Sequence, residues 1–481
     1  DLTEDFLSAL DLDVFKELSQ LNFLYLDFNK ITVLNSTVFS RLSQLKTLSL
    51  IGNALSMFDN DVFSGLNQLQ SLDLSFNQLN ASTLVTLLSQ LPHSLIALDI
   101  SLNPIGQIPQ NISTLFPPAL QNLTIGGDYV PQVLTREFMQ NFPSKLISFS
   151  IVTSFIVNIT EKCFLDFPVL EVLDLSNNKL PSLSSDVFSG LSQLKSLDLS
   201  YNQLSVLNNG VFSGLNQLNT LNLWSNNLYM LGEGLFSELS ELKTLRLSDN
   251  NYSLLSDGIF SKLTQLNELD LSFNQLTTLS DDIFSKLSQL NDLDLGYNYF
   301  TTFSDGIFSG LSQLTYLDLD GNQISVFNKS LFSGLNQLTY LGLSKNQINV
   351  LSEGVFRGLS RLTNLYLNDN RLNDTVIQNL TQNFPYQLNE LDVSDNQIGN
   401  DGALALAEML PCTNLTTIRF VGNPANDTTL AIAAQQTALQ KVCDDQRCHA
   451  NLPATESCGI NTNPSTTAQM IWELFSSVHE V

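Results

Sequence analysis

The sequence predicts an α/β solenoid. It reads as a curved horseshoe of about 17 stacked units, with a concave parallel β-sheet and short 3₁₀ or α segments on the convex side. Three observations carry this. The frame L-x-x-L-x-L-x-x-N-x-L recurs along the chain. From Asn178 to Asn370 every step between its asparagines is 24 residues. A column of phenylalanines keeps the same register. A fixed period of this length marks a repeat architecture in which each unit packs only on its neighbours.

The asparagine position of the frame falls at Asn29, Asn53, Asn77 and Asn103, then at Asp128 and Ser154. It resumes at Asn178, Asn202, Asn226, Asn250, Asn274, Asn298, Asn322, Asn346 and Asn370, and closes with Asn396 and Asn423. The x-L-x-L-x stretch alternates, so it reads as a short strand with leucine pointing inward. The asparagine stands where the chain leaves the strand. Its amide satisfies backbone groups that the turn strands without partners. Phe188, Phe212, Phe236, Phe260, Phe284, Phe308, Phe332 and Phe356 form the second apolar column, and Phe15, Phe39, Phe63 and Phe164 share its register. The F-S-G-L and F-S-K-L turns around them suit short helical pieces. Strands sit about 4.8 Å apart, and the bulkier back needs more room. The sheet is therefore expected on the inner side of a curve, along an arc of roughly 80 Å.

On these residues the chain resembles the extracellular, Toll-like and Slit-like class of leucine-rich repeats, whose units have 24 residues and a convex phenylalanine. The resemblance covers residues 2 to about 423. It implies a fold and does not fix a ligand. The solenoid is expected over 1–423, with irregular units at about 78–178 and 371–423, followed by a helical, cysteine-containing cap and tail at 424–481.

In the first irregular stretch the ladder residue is lost twice, and prolines accumulate from Pro92 to Pro143. In the second, residues 400–410 read as a true convex helix, similar to the helical units of ribonuclease-inhibitor-like repeats. Asn80, Asn373 and Asn426 each sit three residues past a ladder asparagine, where they suit a helix N-cap. Residues 428–442 suggest one amphipathic helix closing the core. Trp472 and Phe475 lie in a final short segment, expected to pack on the cap or to reach a neighbouring molecule. The family's usual N-P-W-x-C-x-C cap is not matched, because Asn423-Pro424 is not followed by tryptophan or cysteine there. At the other end Leu2 aligns with Leu26 and Asp5 with Asn29, so the chain begins inside a strand. Either an N-terminal segment is absent, or another subunit caps this end.

Four of the five cysteines, Cys412, Cys443, Cys448 and Cys458, gather near the C-terminus. They read as a disulfide-stapled cap and an oxidising compartment. Of three possible connectivities, Cys412–Cys443 with Cys448–Cys458 is the expectation. Cys163 takes a valine slot of the repeat and reads as a buried free thiol. No run of 18 apolar residues spans a membrane. Charged residues are 14%, low for a globular protein, and polar uncharged side chains fill the surface. The net charge of −26 repels phosphate backbones, so no nucleic-acid partner is expected.

Sequons occur at Asn35, Asn80, Asn111, Asn122, Asn158, Asn251, Asn328, Asn373, Asn379, Asn414 and Asn426. With 49 asparagines, chance alone gives roughly ten, so the number itself is uninformative. In a secreted chain most would lie on accessible turns. Asp73, Asp99, Asp174, Asp198, Asp270, Asp294, Asp318 and Asp392 share one strand position. Asp270, Asp294 and Asp318 come from adjacent strands, where a calcium ion is the metal they could hold. The plainer reading is a solvated face, since L-D-L-S is ordinary for this class. Phe23, Tyr25, Trp224, Tyr316, Tyr340 and Tyr366 are placed on the same face. A protein-binding patch is expected at Trp224, Arg246, Tyr316 and Tyr340, because exposed aromatics and arginine suit interface hot spots. No catalytic motif appears, His93, His449 and His479 are far apart, and no cofactor is implied.

Two functions follow. The first is a non-catalytic extracellular or cell-surface protein that recognises a protein or glycan. The second is a structural subunit assembling head to tail with copies of itself into a glycosylated filament or surface layer.

Overall fold

The computed structural model describes residues 1–425 apart from 12, 110, 111, 383, 386 and 410–412. Cys412, Cys443, Cys448, Cys458, Asn111, Asn426, the helix expected at 428–442 and the tail with Trp472 and Phe475 lie outside the described residues. The chain divides into two compact units, Asp1–Leu245 and Arg246–Val481. Among the described residues seventeen short strands carry the sheet, one for each expected unit.

The first unit holds strands Phe23–Tyr25, Thr47–Ser49, Ser71–Asp73, Ala97–Asp99, Asn122–Gly126, Ser148–Val152, Val172–Asp174, Ser196–Asp198 and Thr220–Asn222. All pair in parallel and in one register, so that Leu24, Leu48, Leu72, Leu98 and Leu123 form one buried row. Phe149 continues the row where the repeat is irregular, followed by Leu173, Leu197 and Leu221. Thr244–Arg246 falls at the division between the units. The second unit continues with Glu268–Asp270, Asp292–Asp294, Tyr316–Asp318, Tyr340–Gly342, Asn364–Tyr366, Glu390–Asp392 and Thr417–Arg419, again parallel.

The asparagine ladder explains how a three-residue strand can end in a buried turn. Asn202 is typical: its Nδ2 donates to the carbonyls of Leu175 at 3.0 Å and Leu199 at 3.1 Å, and its Oδ1 accepts from Leu180 N at 3.1 Å. One side chain thus closes its own turn and ties it to the preceding unit. An unpaired buried backbone group would cost about 1–3 kcal/mol.

The irregular stretch departs from the expectation. Asp128 was expected to hold the ladder position, but it is exposed. Tyr129 is buried instead; its hydroxyl accepts from Gly126 N at 3.2 Å and donates to Ile100 O at 3.4 Å. The strand here runs five residues, Asn122–Gly126, so the turn starts later and a longer side chain reaches the stranded carbonyl. Ser154 also serves in part, accepting from Gly127 N at 3.2 Å.

Behind the sheet the phenylalanines stack. Phe188 and Phe212 have centroids 6.4 Å apart, and Phe284 and Phe308 6.2 Å. Most backs are consecutive turns with bonds three residues apart, such as Leu42 N to Phe39 O at 3.0 Å. True helices appear where the repeat is longer. Ala81–Gln90 is capped by Asn80, whose Oδ1 accepts from Thr83 N at 3.0 Å. Asp374–Gln382 begins beside Asn373, whose Oδ1 accepts from Val376 N at 3.1 Å. Asn400–Met409 is the convex helix expected at 400–410. Paired two-residue strands away from the main sheet, such as Val206–Leu207 with Met230–Leu231, were not expected from the repeat pattern.

Candidate functional site

In each strand the residue of the buried row, nearly always leucine, points inward, which turns the residues on either side of it outward. In the second unit this makes two rows. Glu268, Asp292, Tyr316, Tyr340, Asn364 and Glu390 lie side by side in register, as do Asp270, Asp294, Asp318, Gly342, Tyr366 and Asp392. Carboxylates therefore crowd one part of the face and tyrosines the next.

Tyr316 and Tyr340 stack with centroids 4.2 Å apart and planes 15° from parallel, and Tyr340 meets Tyr366 at 5.2 Å. Gly342 leaves room for the carboxylates beside it. A Cβ there would stand 2.7 Å from Asp318 Oδ1 and 2.9 Å from Asp320 Oδ1. The Tyr316 hydroxyl lies 3.3 Å from Asp318 Oδ2. Both phenols are held above the usual tyrosine range, by burial first and then by Asp318.

The carboxylates strain against one another. Burial, then the charges of Asp318, Asp270 and Asp292, push Asp294 up to about 7. Asp320 is pushed up to about 7 by burial and Asp318, and Asp292 to about 6 by burial, Glu268, Asp270 and Asp318. Burial also raises Asp318. Asp320 was not singled out from the sequence. Its signal is the aspartate in L-D-L-D-G-N, where most units place serine.

An arginine sits toward each end of the rows. Arg246 Nε pairs with Glu268 Oε1 at 2.9 Å. Arg419 pairs with Glu390 Oε1 at 2.5 Å and Asp392 Oδ2 at 3.7 Å.

The calcium reading of Asp270, Asp294 and Asp318 is not supported. Among the described residues no group of three or more His, Cys, Asp or Glu side chains is arranged to hold a metal ion. Each of these carboxylates turns back to its own chain, accepting from the backbone N–H of Ser272 at 3.0 Å, Gly296 at 2.8 Å and Asp320 at 2.8 Å. Of the expected binding residues, the structure brings Tyr316 and Tyr340 together and places Arg246 in the same unit. Trp224 belongs to the first unit. It stands just past the strand Thr220–Asn222, exposed and edge-on to Tyr201 at 4.6 Å.

Sequence reasoning also missed a set of exposed aromatics just before the ladder asparagine. Phe28, Phe76 and Tyr201 in the first unit and Phe273 and Tyr297 in the second adopt φ of 51–55°. That left-handed backbone costs a residue with a side chain roughly 1–2 kcal/mol. Phe273 stacks on Tyr297 at 4.4 Å, and Lys345 Nζ reaches the Tyr297 hydroxyl at 3.1 Å across Gly321. The visible signal was the dipeptide F-N or Y-N at the strand's end.

Of the described sequons, Asn122 alone lies on a main-sheet strand, in the first unit. Asn35, Asn80, Asn158, Asn251, Asn328, Asn373, Asn379 and Asn414 lie off those strands, and all but the half-buried Asn35 are exposed. Cys163 is buried and free, and burial pushes its thiol up to about 12. Among the described residues no helix is long and apolar enough to cross a membrane.

Family models of the leucine-rich repeat match residues 19–79, 144–204, 168–228, 216–276, 264–324 and 322–372, and another matches 388–407. Together they cover more than half of the chain, which belongs to the leucine-rich-repeat family. No curated protein matches it. Among solved structures it is similar to the mouse RP105/MD-1 complex, with a TM-score of 0.70, 20% identity, and coverage of 92% of this chain and 77% of that one. It is similar to a Leptospira interrogans leucine-rich-repeat protein, with a TM-score of 0.62, 26% identity, and coverage of 87% and 95%. It is also similar to TLR13 in a complex with ssRNA13, with a TM-score of 0.57, 26% identity, and coverage of 86% and 69%.

Proposed function

We propose that the chain is a non-catalytic recognition protein of the extracellular space or cell surface, and that the sheet face of its second unit binds a protein ligand. The observation that carries this is the Tyr316–Tyr340–Tyr366 cluster on that face. Tyrosines held by stacking present large contact area at little entropic cost, and such residues dominate binding energy at interfaces. The low charged fraction of 14% supports an extracellular setting. Occupied sequons would leave this face open, because none of the described ones lies on its strands. An RNA partner such as the one named for TLR13 is opposed by the net charge of −26 and by the carboxylates beside the tyrosines.

The test is capture from the native extracellular fluid, with the intact chain and a Tyr316→Ala/Tyr340→Ala variant side by side. A protein retained by the first and lost by the second supports the reading. Retention that ignores both substitutions overturns it. Mass spectrometry of the purified chain tests glycan occupancy at Asn35, Asn80, Asn122, Asn158, Asn251, Asn328, Asn373, Asn379 and Asn414.

A further inference from the structure

We propose that the partner seated on this face is a basic protein segment, whose arginine or lysine side chains lie across the Tyr316–Tyr340 stack and enter the carboxylates of Asp292, Asp294 and Asp318. The inference rests on the recognition reading above and adds the chemistry of the partner.

Charge complementarity carries it. The outward positions of the six strands from Glu268–Asp270 to Glu390–Asp392 hold seven carboxylates, four uncharged polar or glycine residues besides Tyr316, and no cation. Carboxylates on neighbouring strands stand about 5 Å apart, close enough for one guanidinium to bridge two of them. The chain itself shows that the face accepts this group. Arg246 pairs with Glu268, and Arg419 pairs with Glu390 and Asp392. Between these pairs Asp292, Asp294 and Asp318 have no ion-pair partner among the described residues. Tyr316 stacks on Tyr340 through one face, and its other face, on the side of the Asp292–Asp294 strand, adds a π surface that favours a cation, most of all a guanidinium.

The same geometry sets the pH dependence. Asp294 is faced by Asp292 on its own strand, by Glu268 and Asp270 on one neighbour, and by Tyr316, Asp318 and Asp320 on the other. Tyr340 lies one strand further; Arg246 and Lys345 are the nearby cations. The raised values mean that Asp292 loses its proton near pH 6 and Asp294 near pH 7, both within the range tested. A bound cation favours their charged forms, so binding releases protons and strengthens as pH rises from 5 to 8.

The experiment uses the intact chain and a decapeptide of alternating arginine and glycine, with a serine–glycine decapeptide as the neutral control. Calorimetry is run at pH 5 and pH 8. Asp292→Asn/Asp294→Asn/Asp318→Asn removes three charges. At 294 and 318 asparagine keeps the backbone bond, as Asn222 already does at this position in the first unit by accepting from Trp224 N at 3.1 Å. Asp257→Asn/Asp281→Asn/Asp282→Asn removes three charges from exposed turns away from the strands. The expected result is tighter arginine-peptide binding at pH 8, at least a tenfold loss in the first variant, and less than a twofold loss in the second. Equal losses in both variants, or no preference over the serine peptide, overturn the proposal. Should the arginine peptide fail while tyrosine-dependent capture persists, the face recognises something other than a basic segment, and only this inference falls.

Discussion

Asn298 gives the most direct test of how this chain holds its units together. Its side chain is buried. Nδ2 donates to Leu271 O at 3.0 Å, Leu295 O at 3.2 Å and Gly296 O at 3.1 Å, and Oδ1 accepts from Leu276 N at 3.0 Å. Alanine removes all four contacts, but their loss is unequal. Leu271 O keeps the amide of Asn274 and Leu295 O keeps that of Asn322. Gly296 O keeps the backbone N–H of Phe273. The Leu276 N–H alone is left unpaired in the core, at about 1–3 kcal/mol. The three thinned carbonyls add about 0.5–1 kcal/mol for each hydrogen the amide supplied. The expected destabilisation is therefore about 3 kcal/mol. Urea unfolding followed by circular dichroism measures it, with Asn349→Ala, at an exposed site, as the control that changes little. Hydrogen exchange at Leu276 locates it. A loss below about 1 kcal/mol, or unchanged protection at Leu276, would refute the account of the ladder as backbone satisfaction.

The acidic face predicts an unusual pH profile. Asp294 and Asp320 have folded values raised to about 7, so the folded state binds their protons more tightly than the unfolded chain does. Their stabilising contribution is complete below pH ~4 and is lost as pH rises through about 7. Asp294→Asn should raise stability at pH 8 by on the order of 4 kcal/mol, by about 1–2 kcal/mol at pH 5, and change it little at pH 3, as read by urea unfolding; equal effects at pH 3 and pH 8 would contradict the cause given. Gly321 has φ +67°, and a Cβ there would meet Tyr297 Cδ1 at 2.6 Å. Gly321→Ala should cost at least about 1–2 kcal/mol from backbone strain alone, and unchanged thermal unfolding would count against it. Cys163 is buried with its thiol pushed up to about 12. Cys163→Ser should leave the native thiol titre with a disulfide reagent unchanged and lower the titre in urea by one thiol; reaction of Cys163 in the native protein would show that the site opens.

Much of the fold was legible because the repeat multiplies each weak signal. One Leu-x-Leu says little, but Leu24, Leu48 and Leu72 in the same frame can only be stacked strands. The asparagine ladder and the phenylalanine column were readable for the same reason. Reading weakened where the repeat did. Between Asn103 and Asn178 spacing alone named Asp128, whereas the lengthened strand Asn122–Gly126 gave the work to Tyr129. Nothing local in the sequence says that a tyrosine hydroxyl will reach the carbonyl an asparagine usually takes.

The candidate site divides along the same line. Strand alternation by itself put Asp270, Asp294, Asp318, Tyr316 and Tyr340 on one face, because side-chain direction in a strand has a period of two. Register then made Tyr316 and Tyr340 neighbours. Rotamers and hydrogen bonds were beyond that pattern. Only the tertiary structure turned each aspartate back to its own backbone instead of toward a shared ion, and set Trp224 edge-on to Tyr201. It also brought Asp320 into the acidic cluster, with room at Gly342 for the Asp318 and Asp320 carboxylates, and set Tyr366 near Tyr340. Periodicity fixes where a residue stands on the solenoid. What its side chain touches depends on neighbours 24 or 48 residues away, and those contacts exist only once the units have stacked.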